Sequence, residues 1–217
     1  QALLTALGLA GAAALAGRPL RELGLVLVTV LVGQAILGWD NDLADRVRDR
    51  RHERPGKPVA HGWLDPGTVW FALTCALLLV VPLAIANGTI AGPTYLVALL
   101  VGLLGNRFLR GHVLSFLPWV VQFGLYPAFL AYGGWAGVGE DTPPTIAMTV
   151  LAGVLGLCVH VLRALPGLVQ DNQDGYRSLP LRIALRTGAP KLLVITGVAT
   201  AVVVVAMLIT GRTVGLT

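Results

Sequence analysis

Long apolar stretches separated by short polar segments run along the whole chain. Most approach the length of about 20 residues that an α-helix needs to cross the hydrocarbon core of a bilayer. They lie at residues 2–16, 20–38, 68–86, 93–105, 115–133, 144–162 and 190–210. The alternating pattern of membrane β-strands is absent, and helices satisfy their own backbone hydrogen bonds in lipid. The pattern predicts an all-α membrane protein, a multi-pass transmembrane helical bundle forming one domain over residues 1–217.

Composition agrees with a membrane protein. Hydrophobic residues make up 55% and charged residues 12% of the 217 residues, about half the charged fraction of a soluble domain. Cys75 and Cys158 lie far apart in apolar segments, which favours buried reduced thiols over a disulfide or a zinc site. Because the chain begins at Gln1 and ends just past an apolar segment, we expect a fragment truncated at both ends.

Charge is distributed unevenly between the polar segments. If successive helices alternate across the bilayer, segments 39–67, 106–114 and 163–191 lie on one side of it. That side holds thirteen of the sixteen Lys and Arg residues and eight of the eleven carboxylates. The positive-inside rule places this side in the cytoplasm. We therefore expect a multi-pass protein of a prokaryotic cell membrane whose acidic motifs face the cytoplasm.

The polar segment after the second apolar stretch carries a regular series of acids. Asn41, Asp45 and Asp49 recur every fourth residue, and Asp42 lies three residues before Asp45. On a helix this spacing places their oxygens along one face, about one turn apart. The simpler alternative is a solvated helix end that pairs with neighbouring Arg residues. We favour a divalent cation with oxygen ligands, because unpartnered acids beside a membrane are costly.

A second acidic pair, Asp171 and Asp174, follows the sixth apolar segment. Taken alone, two Asp residues before Gly175 are also typical of an ordinary helix C-terminus. The pair nevertheless lies on the same predicted side of the membrane as the first series. Two acidic clusters that face each other can hold Mg²⁺ between them and stabilise a diphosphate as a leaving group.

Polar and aromatic residues near these acids are candidates for binding a substrate. Basic and amide side chains on the acidic side can bind phosphate oxygens, although each basic one could equally be a topology or lipid-headgroup contact. These are Arg54, Lys57, Asn106, Arg110 and Arg177. Three aromatic residues could line a hydrophobic tunnel or shield a carbocation, with helix packing or an interfacial belt as the alternative. They are Trp39, Phe123 and Tyr126.

Together these residues resemble the UbiA superfamily of intramembrane prenyltransferases. That family has the motif N-D-x-x-D-x-x-x-D after its second transmembrane helix, then an R-P…P-x-x-x-G stretch. The first motif is matched here by Asn41, Asp42, Asp45 and Asp49. The stretch after it is matched by Arg54, Pro55, Lys57, Pro58 and Gly62. The likeness extends over nearly the whole chain.

The second family motif, D-x-x-x-D-x-x-x-G-x-x-T-L-P, follows the sixth helix. Its latter part is matched by Asp171, Gly175, Ser178, Leu179 and Pro180. Its first Asp is replaced by Gly167 in this chain, and Asp174 is the carboxylate that could substitute for it. Arg110 falls in the loop after the fourth helix, where the family places a diphosphate-binding Lys or Arg.

The resemblance implies a nine-helix bundle, of which seven helices lie in this chain and the final two helices do not. It implies Mg²⁺-dependent transfer of an isoprenyl group from a prenyl diphosphate to an acceptor, most commonly an aromatic one, within the membrane. The partners would be these two substrates and membrane lipids, with no nucleic acid. The implied catalytic residues are Asp45, Asp49 and Asp171. The implied Mg²⁺ ligands are Asn41, Asp42, Asp45, Asp49, Asp171 and Asp174.

Other functions stay open at this point. A prenyl diphosphate cyclase would use the same motifs, and a non-catalytic member that binds prenyl lipids is compatible with Gly167. A CDP-alcohol phosphotransferase would need Asp-Gly and Ala-Arg pairs that do not precede Asp45 and Asp49. A cation transporter would place ionisable residues near the bilayer midplane on broken helices, whereas these acids collect at one end of the apolar segments.

Overall fold

The computed structural model of the protein describes residues 2–134 and 143–213, with side chains as far as Gly211. Within these ranges the chain forms ten α-helices and no β-strand. The helices are α1 Ala2–Leu15, α2 Leu20–Ala44, α3 Arg46–Arg51, α4 Pro66–Ala86, α5 Ala91–Leu104, α6 Leu117–Ala131, α7 Ile146–Ala164, α8 Leu168–Gln173, α9 Leu179–Thr187 and α10 Ala189–Thr213. A π-helical turn at Gly105–Leu109 extends α5.

Six stretches among the described residues are long and apolar enough to cross a membrane. They are Leu20–Ala44, Pro66–Ala86, Ala91–Leu109, Val113–Ala131, Ile146–Gln173 and Ala189–Gly211. The first predicted segment forms the shorter apolar helix α1. All seven predicted segments are therefore helical, and the prediction of an all-α, multi-pass integral membrane protein is confirmed.

Sequential helices pack against each other around an apolar core. α1 packs on α2, α2 on α4, α5 on α6, and α6 on α7. Tyr95 of α5 and Phe129 of α6 are almost fully buried, with ring centroids 5.0 Å apart. Gly92 lets α5 approach α4 closely, because a Cβ at this position would lie 2.7 Å from the carbonyl oxygen of Ala84. The outer surfaces remain apolar, as expected for helices that face lipid.

The acidic series begins on α2, which is longer than its apolar segment and ends at Ala44. Asn41 and Asp42 thus belong to the membrane-spanning helix itself. Asp45 has φ −94° and ψ 0° and separates α2 from α3, while its backbone N–H still donates to the carbonyl of Asn41. Asp49 lies on α3. The series is therefore divided between two helices, with Asp45 at their junction.

Candidate functional site

A cavity of about 610 Å³ lies between α2, α5, α6 and α7, and its polar end is bounded by α8 and the segment after α3. Seven of the residues singled out by the sequence line it. They are Asn41, Arg54, Lys57, Asn106, Arg110, Phe123 and Asp171. The volume is in the range of small-molecule sites, which is about 300–1,000 Å³. The site therefore combines a charged end with an interior lined by aromatic, apolar and uncharged polar side chains.

The short helices α3 and α8 both end in a Schellman motif, which positions their acids in the same way. After α3, the N–H of Glu53 donates to Arg50 and that of Arg54 to Asp49, at 3.2 and 3.0 Å. After α8, the N–H of Gly175 donates to Asn172 and that of Tyr176 to Asp171, at 3.1 and 2.9 Å. The residue in the left-handed conformation is Glu53 (φ 46°) in one motif and Gly175 (φ 72°) in the other. Asp49 and Asp171 thus occupy equivalent positions, third from the helix end.

Lys57 lies at the centre of the first acidic cluster. Its Nζ is 2.5 Å from Oδ1 of Asp42 and 3.3 Å from Oδ2 of Asp49. The same ammonium donates to Oδ1 of Asn41 at 3.3 Å. Three oxygens from α2 and α3 therefore converge on one cation, the ammonium group of Lys57. The four-residue spacing groups Asp45 with Asn41 and Asp49, whereas in the structure Asp42 belongs to this cluster and Asp45 does not.

The two buried carboxylates of this series, Asp45 and Asp49, differ in their further partners. Asp49 is fully buried, and neither of its oxygens makes a hydrogen bond, although Nη1 of Arg54 lies 3.7 Å from Oδ1. Asp45 is buried and forms an ion pair with Arg110. Burial lowers the pKa of Arg110, and the charges of Tyr176, Asp171 and Asp174 act in the opposite direction. Desolvated groups of opposite charge are thus concentrated at this end of the bundle.

The second acidic pair is bound by side chains of α3 and its C-terminus. Arg48 donates from Nε to Asp174 and from Nη2 to Asp171, and its guanidinium lies 4.6 Å from the ring centroid of Tyr176. Nε2 of His52 is 2.9 Å from Oδ1 of Asp174. The hydrogen bond from Arg48 lowers the pKa of Asp174 below its usual 3.8, and burial opposes that shift. Burial disfavours the charged form of Arg48, but its hydrogen bonds with Asp174 and Asp171 outweigh this and raise its pKa.

Seven predicted site residues do not line the main cavity: Asp42, Asp45 and Asp49, described above, and Trp39, Tyr126, Asp174 and Arg177. Asp174 faces Arg48 and His52, as described above. Arg177 is exposed, and its backbone N–H donates to the carbonyl of Gly111. Trp39 packs against the apolar core, and Tyr126 is buried there, accepting a hydrogen bond from Nε2 of Gln34 at 3.4 Å.

Several polar residues of the cavity were not singled out from the sequence. Ser115 and His160 are buried in its wall, with Oγ and Nε2 in hydrogen-bond contact at 3.0 Å. Arg163 also lines the cavity, and its guanidinium lies 5.1 Å from the ring of Trp119. Gln122 is buried on α6 beside them. The sequence does contain a signal for two of them. His160 and Gln122 interrupt apolar helices, and polar residues inside membrane helices usually have a function.

The two acidic clusters differ in how well they suit a divalent cation. Across the described ranges, no three His, Cys, Asp or Glu side chains come together as a metal site. In the first cluster, however, one amide and two carboxylate oxygens already converge on an ammonium group, and hard cations prefer such oxygen ligands. This donor set fits Mg²⁺ in place of Lys57. The oxygens of Asp171 and Asp174 are bound by Arg48 instead, so the second cluster does not fit.

Comparison with known proteins agrees with the sequence motifs. The chain matches the profile of the UbiA prenyltransferase family over residues 2–217. It belongs to this family. It is 23% identical over 175 residues to chlorophyll synthase, chloroplastic, from Oryza sativa subsp. japonica, covering 75% of this chain and 46% of that protein. The chain thus spans less than half the length of that relative. No solved structure matches the chain significantly.

Proposed function

We propose that this member of the UbiA family transfers an isoprenyl group from a prenyl diphosphate to an aromatic acceptor within the membrane, in a reaction that requires Mg²⁺. The observation that carries the proposal is the cavity itself, because cationic side chains line its polar end and aromatic rings line its membrane-embedded part. A molecule with a diphosphate headgroup and an apolar tail would match this cavity, with its charged end against the cations and its tail against the aromatic rings. The family membership supports a prenyl donor in particular.

Basic side chains at the polar end would bind the diphosphate. Arg54, Lys57, Arg110 and Arg163 all line this part of the cavity. A guanidinium can donate two parallel hydrogen bonds to a phosphate group, whereas Lys acts as a point charge. Asn106 adds an amide, although its Nδ2 already donates to the carbonyl of Leu37 at 3.2 Å. Their combined charge would stabilise the negative charge that develops on the leaving diphosphate.

Asn41, Asp42 and Asp49 are the residues that would hold Mg²⁺. A bound ion would neutralise part of the charge of the diphosphate and so make it a better leaving group. A bound ion would compete with Lys57 for the same three oxygens. If Lys57 left them, its ammonium group would be available to the phosphate oxygens of the substrate.

The apolar part of the cavity would orient the prenyl tail and the acceptor. Trp119 and Phe123 both line it, with ring centroids 6.3 Å apart. Their faces can stack on an aromatic acceptor and attract the positive charge that develops at the allylic carbon. They also exclude water, which would otherwise react with that carbon. The transfer breaks the bond from the allylic carbon to the diphosphate and forms a new bond to the acceptor, which loses a proton.

The test is an assay of the full chain in detergent with labelled prenyl diphosphates of several lengths and a mixture of acceptors, with and without Mg²⁺. We expect diphosphate release and a prenylated product only with Mg²⁺. Asp49→Asn should reduce the rate by at least about 100-fold. Asp65→Asn is the matched control, because Asp65 accepts from the N–H of Thr68 at the start of α4 and Asn also caps helices.

Each contrary outcome of this assay has a defined meaning. Release without any acceptor, accompanied by a cyclic product, would favour a prenyl diphosphate cyclase. Binding of prenyl diphosphate without release, for every chain length and acceptor, would show a non-catalytic binder and contradict the proposal. Equal rates for wild type and Asp49→Asn would exclude Asp49 from the mechanism.

A further inference from the structure

We propose that Arg48 takes the place of a metal ion at the second acidic cluster, so that Asp171 and Asp174 bind protein cations and not Mg²⁺ in this chain. The inference rests on the proposed function, since it concerns the number of ions that the same site uses. It assigns to Asp171 and Asp174 a positioning role, the attachment of α8 to α3.

The first argument is the contact geometry of Arg48. Its guanidinium uses two different nitrogens to bind two different carboxylates, Nε for Asp174 and Nη2 for Asp171. The three side chains are only 10–14% exposed. A divalent ion between these oxygens would have to displace a largely buried guanidinium that makes charge-assisted hydrogen bonds, which are among the strongest in proteins.

The second argument is the charge balance around the pair. The two carboxylates carry two negative charges, and Arg48 supplies one positive charge. Nη1 of Arg51 lies 3.7 Å from Oδ1 of Asp174 and supplies another. Nε2 of His52 is a further nitrogen in contact with Asp174, at 2.9 Å from Oδ1. Arg48 and Arg51 thus already balance the two negative charges of the pair, which leaves little net attraction for an additional ion.

The third argument concerns Gly167, where the family motif has its first Asp. A Cβ built on Gly167 would lie 2.7 Å from Nη2 of Arg54 and 3.8 Å from Oδ1 of Asp171. Arg54 therefore occupies the space that a side chain at position 167 would need. A complete metal site would have a carboxylate there, and this chain has a guanidinium instead. The missing ligand and the guanidinium in its place both disfavour a cation.

Stacking explains why Arg48 is held in this position. Its guanidinium lies 4.6 Å from the ring centroid of Tyr176, which follows the cap of α8. Arg groups stack favourably on aromatic faces, and this contact orients the planar donors toward the two acids. Arg48 therefore joins α3 to both the last turn of α8 and the segment after it.

The experiment counts bound metal in the full chain in detergent, by Mn²⁺ titration with electron paramagnetic resonance of the free ion. Titrations are run with and without inorganic pyrophosphate as the probe. The Asp171→Asn/Asp174→Asn double variant should bind the same number of Mn²⁺ ions as wild type, with affinities within about twofold. Arg48→Gln should bind one further ion, because it frees both carboxylates. Arg46→Gln is the matched control, since Arg46 is an exposed basic residue on the same helix, α3, and should show no gain.

The contrary outcomes are equally specific. Loss of one ion in the double variant, or an affinity more than about tenfold weaker, would show that Asp171 or Asp174 is a metal ligand and overturn the inference. If Arg48→Gln does not fold, the double variant alone decides the question. If neither wild type nor the double variant binds Mn²⁺, the Mg²⁺ requirement of the proposed function is wrong, while the inference about Asp171 and Asp174 stands.

Discussion

Replacing Lys57 by Met tests the first acidic cluster most directly. The substitution keeps the approximate length of the side chain but removes the cation on which three oxygens converge. Asp49, which is fully buried, would retain only the guanidinium of Arg54 at 3.7 Å. We therefore expect Lys57→Met to destabilise the protein in the absence of divalent ions.

The magnitude follows from the distances. Two unit charges 3.3 Å apart, as for Lys57 and Asp49, interact by about 5 kcal/mol at an effective dielectric constant of about 20. Removing one partner of a buried ion pair costs about 3–5 kcal/mol. Since the side chain of Lys57 is 22% exposed, we expect the lower end, about 3 kcal/mol. For a chain of this size that corresponds to a melting temperature lower by about 6–12 °C.

The assay is thermal unfolding in detergent, with EDTA and with increasing Mg²⁺. If the three oxygens form a cation site, Mg²⁺ should stabilise Lys57→Met more than wild type, because Lys57 no longer competes for them. A Mg²⁺ concentration of 100 times the dissociation constant would restore about 2.7 kcal/mol. Lys191→Met, which removes an exposed Lys at the start of α10, serves as the control. A variant as stable as wild type in EDTA, or one with no larger response to Mg²⁺, would refute the reasoning.

Four further predictions concern the caps, the close contacts, pH and the aromatic residues. Glu53→Gly should raise the unfolding free energy by up to about 1 kcal/mol and Gly175→Ala should lower it by a similar amount, because both positions have positive φ; thermal unfolding checks the signs, and a stabilising Gly175→Ala would contradict them. Gly92→Ala should lower the unfolding free energy by about 2 kcal/mol, because the new Cβ would meet the backbone of α4. Gly167→Ala should lower it by less than about 1 kcal/mol, because its Cβ would meet only the flexible end of Arg54, which can move. Equal losses for the two variants would contradict this prediction. The pKa of Asp174 is lowered in the folded state, so the stabilisation by its ionised form is complete above the usual pKa of 3.8 and is lost as the pH falls below that value. The difference in unfolding free energy between wild type and Asp174→Asn should therefore shrink between pH 5 and pH 3. A difference that does not change with pH would show that ionisation of Asp174 does not stabilise the fold. Tyr126→Phe should retain the transfer rate because Tyr126 lies behind the cavity wall, whereas Phe123→Leu should reduce it; the reverse order in the prenyl-transfer assay would show that Tyr126 contacts the substrates.

The helical segments could be predicted from the sequence because their apolar lengths match the bilayer. The four-residue spacing predicts that Asn41, Asp45 and Asp49 share one helix face. The structure instead brings Asn41, Asp42 and Asp49 together at Lys57. Asp45 lies apart from them and pairs with Arg110. The break at Asp45 was not predicted. The segment from Asp40 to Arg51 contains no Gly or Pro, so nothing in the sequence marks the boundary at Asp45.

The role of Arg48 could not be predicted for a different reason. In the sequence it is one of several basic residues between acids, and a basic residue next to a membrane helix is expected from topology alone. Its partners are separated from it by 123 and 126 residues. Pairing over such distances depends on how α3 and α8 approach each other in the bundle. Similarly, Gly167 appeared to be a missing ligand, whereas the structure shows Arg54 beside it.

The long separation between Arg48 and Asp171 also has a consequence for biosynthesis. Chains are made from the N-terminus, so α4, α5, α6 and α7 are all synthesised after Arg48 and before its carboxylate partners. During that time the guanidinium must stay hydrated or associate with lipid phosphates. Closure of this end of the bundle is therefore a late event, which follows insertion of the intervening helices into the bilayer.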